Sequence, residues 1–331
     1  MAETLRTRQF WIQAPGRGEI VPAEVPPRRA HEVLVRTLFT GISRGTESLV
    51  FRGEVPPSQY ATMRAPFQEG DFPGPLKYGY INVGRVEQAD PASNGLVGRT
   101  IFCLFPHQDR YCVPADRVTP VPADVPAARA VLAAGMETAV NAVWDAQPAP
   151  GDRIVVIGAG VIGMLVAYLC RQIPGAAVTL IDVNPARGEV AGALGLSFRT
   201  EPPGAACADL IVHASGNPDG LVAALALADV EARIVEASWY GAQPVCLPLG
   251  EAFHSRRLTI ESSQVGRIPP HRAARWTLAR RMGLALELLR DPRLDALITG
   301  ESEFDDLPRT LARLAHEPGT TLCHRIRYPT S

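Results

Sequence analysis

The sequence has no excess of charge of either sign. Its 33 lysines and arginines nearly balance its 34 aspartates and glutamates, which leaves a formal net charge of −1. A chain so close to neutrality creates no long-range field that attracts polyanions, so neither nucleic acid nor an anionic membrane surface is an expected partner.

The sequence also lacks segments that would direct it to a membrane. Met1–Phe10 places charged and polar residues around one leucine, so the apolar centre of a secretory leader is missing. The longest apolar stretch, Ile154–Cys170, contains three glycines, and a β-branched run precedes a leucine-rich run in it. This pattern favours a buried strand that turns into a helix over a helix that spans a membrane.

Paired cysteines are absent as well. The six cysteines include no CxxC pair and stand at positions 103, 112, 170, 207, 246 and 323. Such scattered thiols are typical of a reduced, cytoplasmic protein. Cys103, His107 and Cys112 are close enough in sequence to suggest a metal, but no fourth ligand is nearby, and small core residues explain the pattern.

Two different patterns divide the chain. Up to about residue 145 it is rich in proline, glycine and short alternating segments such as Glu32–Phe39, which predicts a mainly β domain. From Gly151, apolar strands alternate with helical stretches, which predicts a parallel sheet covered on both faces. The expected division is residues 1–145, 146–290 and 291–331, the last returning to the first domain. The expected strands are Arg153–Ile157, Ala177–Asp182, Asp209–Ala214 and Arg233–Ala237, and the expected helices are Val161–Gln172, Pro185–Leu194, Pro218–Leu227 and Ala273–Arg290.

A glycine-rich turn connects the first of these strands to its helix. Gly158 permits the tight turn, Gly160 lets the backbone approach a pyrophosphate, and Gly163 lets the helix lie close to the sheet. Val161 and Ile162 begin the helix, where unpaired N–H groups and the helix dipole favour phosphate. Because a strand precedes the turn and a helix follows it, the motif predicts a dinucleotide site.

An acidic residue ends the second strand, nineteen positions beyond Gly163. Asp182 would accept hydrogen bonds from the adenosine ribose and repel a 2′-phosphate, so the sequence favours NAD(H) over NADP(H). Val183, Asn184 and Arg187 follow it, and Arg187 is the one feature that weakens this preference. Alternatively, Asp182 only caps the following helix.

Polar residues also follow the third and fourth strands. Ser215 and Gly216 follow the third strand and Ser238 follows the fourth, at carboxyl ends where open α/β sheets bind ligands. We expect them to flank the nicotinamide half of the cofactor. Arg256 and Arg257 would hold an anionic substrate or cofactor phosphate, or form an ordinary solvated charge pair.

The order of a β-rich domain, a Rossmann domain and a C-terminal return resembles the medium-chain dehydrogenase/reductase family. The local motifs are Thr40–Glu47, Gly79–Gly84 and the segment Gly151–Arg153 that leads into the glycine turn. The resemblance implies an α/β protein with a GroES-like mainly β domain plus a Rossmann doubly wound parallel-sheet domain. It also implies hydride transfer between a nicotinamide and alcohols, aldehydes, ketones or activated double bonds.

The family's zinc ligands have no counterparts in this sequence. The three positions that hold catalytic zinc in relatives correspond to Ser43, Tyr80 and Ala134, which supply no thiolate, imidazole or carboxylate. The four-cysteine lobe of a structural zinc is also missing. The resemblance therefore indicates a zinc-free member with no metal site, most similar in its motifs to the branch that contains bacteriochlorophyllide dehydrogenase.

Without a metal, the charge that develops on the substrate oxygen needs a hydrogen-bond donor or a proton carrier. Tyr80 replaces the family's histidine ligand and is the first candidate, and Lys77 would lower its pKa if the two side chains meet. Thr46 lies where relatives keep a hydroxyl for proton relay, and Glu137 and His107 are further acid–base candidates. Each candidate also has a structural alternative: Tyr80 as a core aromatic, Thr46 as a turn residue and Glu137 as a member of a helix-start pair.

Arg44 resembles the arginine that contacts the cofactor pyrophosphate in relatives. The leading hypothesis is an NAD(H)-dependent, zinc-independent oxidoreductase that interconverts a secondary alcohol and a ketone on a small polar substrate. A cytoplasmic homodimer is the expected form of the protein. Reduction of an activated C=C bond and an NAD(H)-binding sensor without chemistry remain alternatives.

Overall fold

The computed structural model describes residues 5–204, 206–317 and 319–329. Residues 1–4, which belong to the N-terminal segment discussed above, lie outside the described residues. The chain forms two compact units. The first combines the chain up to residue 134 with residues 286–291 and 298–331, and the second combines residues 135–285 and 292–297. The domain boundaries given above, 1–145, 146–290 and 291–331, stay a prediction.

The first unit is mainly β, as the proline- and glycine-rich sequence predicts. Its strands are β1 (Arg6–Ala14), β2 (Arg17–Glu24), β3 (Glu32–Ile42), β4 (Glu69–Gly70), β5 (Leu76–Lys77), β6 (Asn82–Gln88), β7 (Thr100–Cys103), β8 (Arg110–Pro114), β9 (Val118–Pro120), β16 (Ile298–Glu303) and β17 (Cys323–Arg327), and its helices are α1 (Arg44–Phe51) and α8 (Leu307–His316). The larger sheet has the order β16-β17-β3-β6-β7-β9, with β8 also paired to β3, and the smaller sheet has the order β2-β1-β5-β4.

Strand β3 is central to this unit because both of its faces are used. Val33 and Val35 are fully buried and pack with Val86, Ile101 and aromatic residues in one core cluster. Leu34 between them is also buried, so this part of the strand is covered on both faces instead of alternating between core and solvent. After β3 the chain turns directly into α1.

The second unit contains a parallel six-stranded sheet. Its strands are β10 (Arg153–Ile157), β11 (Ala177–Ile181), β12 (Ser197–Arg199), β13 (Ala208–His213), β14 (Ala228–Glu236) and β15 (Thr259–Ser262), and the helices of this part of the chain are α2 (Ala133–Ala146), α3 (Val161–Cys170), α4 (Arg187–Ala193), α5 (Pro218–Leu227), α6 (Pro270–Ala273) and α7 (Leu278–Leu288). The strand order is β12-β11-β10-β13-β14-β15, and each neighbouring pair is parallel. This is the doubly wound order of dinucleotide-binding domains.

The predicted strand-to-helix transition in the apolar stretch is confirmed, since this stretch divides into β10 and α3. Within the described residues, no helix combines the length and apolar character that a membrane crossing needs. All six cysteines have free thiols.

One predicted helix is wrong. The expected continuous helix Ala273–Arg290 is two helices, α6 and α7, separated by a turn. Arg280 N donates a hydrogen bond to Thr277 Oγ1 at 3.1 Å, so Thr277 caps a new helix instead of continuing the first one. Trp276 in the turn packs against Trp144, with 4.7 Å between the ring centroids. The amphipathic pattern continues across the break, but α6 ends at Ala273 and a new helix begins after Thr277.

Candidate functional site

Two glycines of the turn after β10 are required by close backbone contacts. Gly158 has φ +102°, and a Cβ there would lie 2.6 Å from the backbone of Ser215. A Cβ on Gly163 would lie 1.8 Å from Gly158 O. Only glycine fits at either position, as the dinucleotide motif predicts.

The start of α3 is arranged as an anion site. Gly160 is the N-cap residue and provides no side-chain hydrogen bond to the first turn. The helix begins at Val161 and Ile162, whose N–H groups belong to that first turn. An N-terminus without a capping side chain leaves its donors and its dipole for a bound phosphate, which fits a pyrophosphate.

Asp182 follows β11 and organises the loops on this side of the sheet. Its Oδ2 accepts a hydrogen bond from Ala159 N at 2.7 Å, and its Oδ1 accepts one from Asn184 N at 2.9 Å. Val183 is 89% exposed, whereas Arg187 is buried. Burial lowers the pKa of Arg187, and the negative charge of Asp182 opposes that effect. Asp182 is thus fixed beside the glycine turn, and its charge is already partly balanced by Arg187.

Ser215, Gly216 and Ser238 lie together at the carboxyl ends of β13 and β14. Gly216 N donates a hydrogen bond to Ser238 Oγ at 3.0 Å, which ties the two loops to each other. Below them, His213 joins Ser215 Oγ and Glu236 Oε2, each at 2.6 Å. Neither His213 nor Glu236 belongs to a motif that is recognisable in the sequence. Their only signal was their position as the last residues of neighbouring parallel strands.

Tyr80 in the first unit donates a hydrogen bond to Ser43 Oγ at 2.6 Å. Ser43 N in turn donates to Glu47 Oε1 at 2.8 Å. Burial and then the negative charge of Glu47 raise the pKa of Tyr80 to about 12, although hydrogen bonds with Ser43 and Thr46 act in the opposite direction. Tyr80 therefore keeps its proton at neutral pH, and its hydroxyl is a donor rather than a base.

His107 lies in a buried chain of hydrogen bonds behind this pair. Its Nε2 is 2.9 Å from Glu47 Oε2, and its Nδ1 is 2.7 Å from Thr40 Oγ1. Thr40 Oγ1 is also 3.3 Å from the hydroxyl of Tyr328. Glu47 was part of the quoted motif but was not predicted as a site residue, and the structure makes it the link between Tyr80 and His107.

The predicted influence of Lys77 on Tyr80 is wrong. Lys77 is buried, forms an ion pair with Glu69 and donates to Gln108 Oε1 at 2.9 Å. The pKa of Tyr80 is raised, whereas the predicted effect was a lowering.

Glu137 is engaged in a buried ion pair. Its Oε1 lies 3.1 Å from Arg281 Nε, and Arg281 also bonds to Asn141 Oδ1 and to the carbonyl of Val265. Burial raises the pKa of Glu137, while Arg281 opposes that effect. The structure thus favours a structural ion pair for Glu137 over the predicted acid–base role, although its partner is Arg281 and not a residue at the start of its own helix.

The arginine candidates lie at the start of α1 and immediately before β15. Arg44 begins α1 and donates to Thr321 O at 3.3 Å, and its contact with a pyrophosphate stays a prediction. Arg257 pairs with Glu231 at 3.0 Å, and both Arg256 and Arg257 precede β15. They lie at the amino end of that strand, whereas ligands bind at carboxyl ends, so the structure favours the solvated charge pair over the anion-binding alternative.

The three positions that would correspond to zinc ligands do not fit zinc. Ser43 and Tyr80 hydrogen bond to each other, and Ala134 offers a methyl group. Zinc needs thiolate, imidazole or carboxylate ligands, which these side chains do not supply. In the described ranges, no three His, Cys, Asp or Glu side chains are grouped so as to hold a metal ion.

Sequence comparison finds similarity to dehydrogenases, while no family model matches the chain. L-Threonine 3-dehydrogenase of Bacillus subtilis strain 168 is 31% identical over 128 residues, which cover 35% of this chain and 37% of that protein. D-Guloside 3-dehydrogenase of Escherichia coli K12 is 23% identical over 345 residues, which cover 96% of this chain and 95% of that protein. The more similar of these two alignments thus spans less than half of either chain.

Structural comparison covers nearly the whole chain. An alcohol dehydrogenase of Escherichia coli CFT073, crystallised with NADH, matches with a TM-score of 0.76 at 18% identity, covering 98% of this chain and 99% of that chain. The chain therefore shares the fold of that structure, with a GroES-like mainly β unit plus a Rossmann unit. The predicted fold class is therefore confirmed.

Proposed function

We propose that this protein is an NAD(H)-dependent, zinc-independent oxidoreductase that interconverts a secondary alcohol and a ketone on a small polar substrate. The observation that carries the proposal is the turn after β10, where Gly158 and Gly163 are fixed by close contacts and Asp182 hydrogen bonds to Ala159 N. Such a turn, opening an uncapped helix, holds a dinucleotide.

The comparisons support a nicotinamide cofactor and a hydroxyl substrate. The two named relatives are dehydrogenases of threonine and of a guloside, both small polar compounds, and the matched crystal structure contains NADH. When bound, NAD(H) supplies or accepts the hydride. Gly160, Val161 and Ile162 would hold its pyrophosphate, Asp182 its adenosine ribose, and Ser215 its nicotinamide side.

Tyr80 is the proposed proton donor. Reduction of a ketone places a hydride on carbon and a proton on oxygen, and a phenol that keeps its proton at neutral pH is suited to the second part. The hydrogen bonds of Ser43 and Thr46 stabilise the phenolate that the transfer leaves, since they lower the pKa of Tyr80.

Zinc independence is supported by the chemistry of the side chains that replace the ligands. A hydroxyl pair and a methyl group would not compete with water for Zn²⁺ at neutral pH. In place of the metal, the hydroxyl of Tyr80 would donate a hydrogen bond to the substrate oxygen. A cytoplasmic location is proposed from the unpaired cysteines, and a homodimer from β15, which lies at an edge of the six-stranded sheet.

Cofactor titration tests the proposal at its first step. Purified protein titrated with NADH is expected to show saturable enhancement of nicotinamide fluorescence, with weaker binding of NADPH. The metal content, measured on the same preparation, should be far below one zinc per chain, and a chelator should not alter the rate of ketone reduction. Stoichiometric zinc that is needed for turnover, or failure to bind NADH, would overturn the proposal.

A further inference from the structure

A buried histidine joins the ends of two neighbouring strands in the second unit. His213 is the last residue of β13 and Glu236 is the last residue of β14, and the two are opposite each other in the parallel register. His213 is fully buried, and its Nδ1 lies 2.6 Å from Glu236 Oε2. Tyr240 donates to the same carboxylate oxygen at 2.9 Å, and Ser238 N donates to Oε1 at 2.7 Å.

These contacts determine which ring nitrogen carries the proton. Burial acts to raise the pKa of Glu236, but hydrogen bonds from His213 and Ser238 hold it below its ordinary value. An ionised carboxylate only accepts hydrogen bonds, so the nitrogen that faces it, Nδ1, carries the hydrogen. In the neutral imidazole, Nε2 is then an acceptor.

The outer end of this array is the exposed Ser215. Its Oγ is 2.6 Å from His213 Nε2, so the hydroxyl donates inward to the imidazole. One lone pair of Oγ accepts from Asn217 N at 3.1 Å. A hydroxyl oxygen has two lone pairs, so one remains for a group outside the protein. The other acceptor within reach of the Ser215 proton, Asn217 O, lies farther away at 3.5 Å. The shorter contact with Nε2 therefore takes the proton, and Ser215 Oγ presents an acceptor outward.

The sheet order indicates which part of a dinucleotide lies here. Asp182 follows β11, on one side of β10, while Ser215 follows β13, on the other side. A cofactor whose pyrophosphate lies at the turn after β10 and whose adenosine ribose binds Asp182 extends its other sugar toward β13 and β14. That sugar carries hydroxyls, which donate to acceptors of this kind.

We infer that Glu236 and His213 are positioning residues that hold Ser215 Oγ as an acceptor for a hydroxyl of the second sugar of the bound dinucleotide. The inference rests on the proposed NAD(H) function and assigns to that function three side chains that act in series. Glu236 fixes the imidazole, the imidazole fixes the Ser215 hydroxyl, and Ser215 receives the sugar. The competing explanation is that these three side chains only support the loop and do not contact the ligand.

Three ligands separate these explanations in binding titrations. ADP lacks the second sugar, ADP-ribose contains it, and NADH contains it together with the nicotinamide. Ser215→Ala should raise the Kd of ADP-ribose and of NADH about 5- to 10-fold, because one neutral hydrogen bond is lost, and should leave the Kd of ADP unchanged. Ser255→Ala, an exposed serine bonded to Glu251 O elsewhere in the unit, is the matched control and should alter none of the three.

A second variant tests the action in series. Glu236→Gln no longer requires hydrogen on Nδ1, so the imidazole is free to place it on Nε2 and donate to Ser215. Glu236→Gln should raise the Kd of ADP-ribose by a similar factor. In a Ser215→Ala background it should raise that Kd little further, because both changes remove the same contact.

The two proposals fail differently. Equal losses for ADP, ADP-ribose and NADH, or unchanged binding of all three in Ser215→Ala, would overturn the inference while NAD(H) binding by the native protein stands. Additive losses in the double variant would overturn the series arrangement. A native protein that binds none of the three ligands would remove the proposed function and the inference together.

Discussion

Replacing Asp182 by asparagine removes a charge at the end of β11 while keeping the shape of the side chain. Both carboxylate oxygens of Asp182 already accept one backbone hydrogen bond, from Ala159 N and from Asn184 N. Each oxygen keeps a further lone pair, and the proposed ribose hydroxyls would use these. Asparagine has a single acceptor oxygen and directs an NH₂ group at one of the two backbone N–H groups.

The magnitude follows from the loss of charge-assisted hydrogen bonds. One hydrogen bond to a charged group contributes about 1.5–3 kcal/mol, and each 1.4 kcal/mol is about tenfold in Kd. Asp182→Asn should therefore raise the Kd of NADH about 10- to 100-fold. The change also removes repulsion of a 2′-phosphate, so the ratio of the NADPH Kd to the NADH Kd should fall by at least about tenfold.

Fluorescence titration with both cofactors measures these constants. Asp209→Asn is the matched control, because Asp209 accepts from Arg153 N at 2.8 Å at the amino ends of β13 and β10, away from the glycine turn at the carboxyl end of β10. It should leave both constants unchanged. A folded Asp182→Asn protein whose NADH Kd stays within about twofold of the native value would refute the assignment of Asp182 to the ribose.

Three further predictions concern Tyr80 and the glycines. Tyr80→Phe should lower kcat for ketone reduction about 100-fold without changing the Kd of NADH, and Tyr60→Phe should change neither. The pKa of Tyr80 is raised from 10.0 to about 12, so between these pH values the phenol loses its proton in the unfolded chain but keeps it in the folded protein. The free energy of unfolding, measured by denaturant titration, should therefore fall more steeply over this range in the native protein than in Tyr80→Phe. Gly163→Ala, whose Cβ would meet a carbonyl oxygen at 1.8 Å, should destabilise by about 1–3 kcal/mol or more, whereas Gly192→Ala, with nothing within 4 Å, should stabilise by up to about 1 kcal/mol.

Each of these predictions has an outcome that contradicts it. An unchanged rate in Tyr80→Phe would remove the phenol from the proton transfer. Parallel stability profiles for the two proteins at alkaline pH would show that the phenol titrates normally in the folded state. Gly163→Ala with native stability would mean that the helix can move away from the turn, and the close-packing argument for that glycine would fail.

The parts of the fold that depend on local pattern could be predicted from the sequence. Strand β10, the glycine turn and α3 follow one another within one apolar stretch, and Asn217-Pro218 begins α5 as expected. The break between α6 and α7 was missed because the apolar spacing continued through it. Thr277 caps the start of α7 although the amphipathic pattern runs through it. Threonine also occurs inside helices, so its presence alone does not mark a helix start in the sequence.

The polar contacts of the site were harder to predict because they join distant segments. Lys77 and Tyr80 are close in sequence and were expected to interact, yet Lys77 pairs with Glu69. Glu137 finds its partner Arg281 144 residues away. Sequence spacing reports contacts only within one helix or strand, whereas a buried charge takes its partner from whichever segment the fold brings near.

Two buried histidines make the same arrangement in the two units. His107 lies between Glu47 and a hydroxyl, and His213 lies between Glu236 and a hydroxyl, across sequence separations of 60 and 23 residues. In a neutral imidazole whose nitrogen facing the carboxylate carries the hydrogen, the opposite ring nitrogen accepts from the hydroxyl. Removing a buried imidazole would leave a carboxylate without its main partner, which costs more than the loss of a hydroxyl. The carboxylate and imidazole are therefore the residues on which the orientation depends. The two hydroxyls differ, because Thr40 is fully buried and contacts the hydroxyl of Tyr328, whereas Ser215 is exposed.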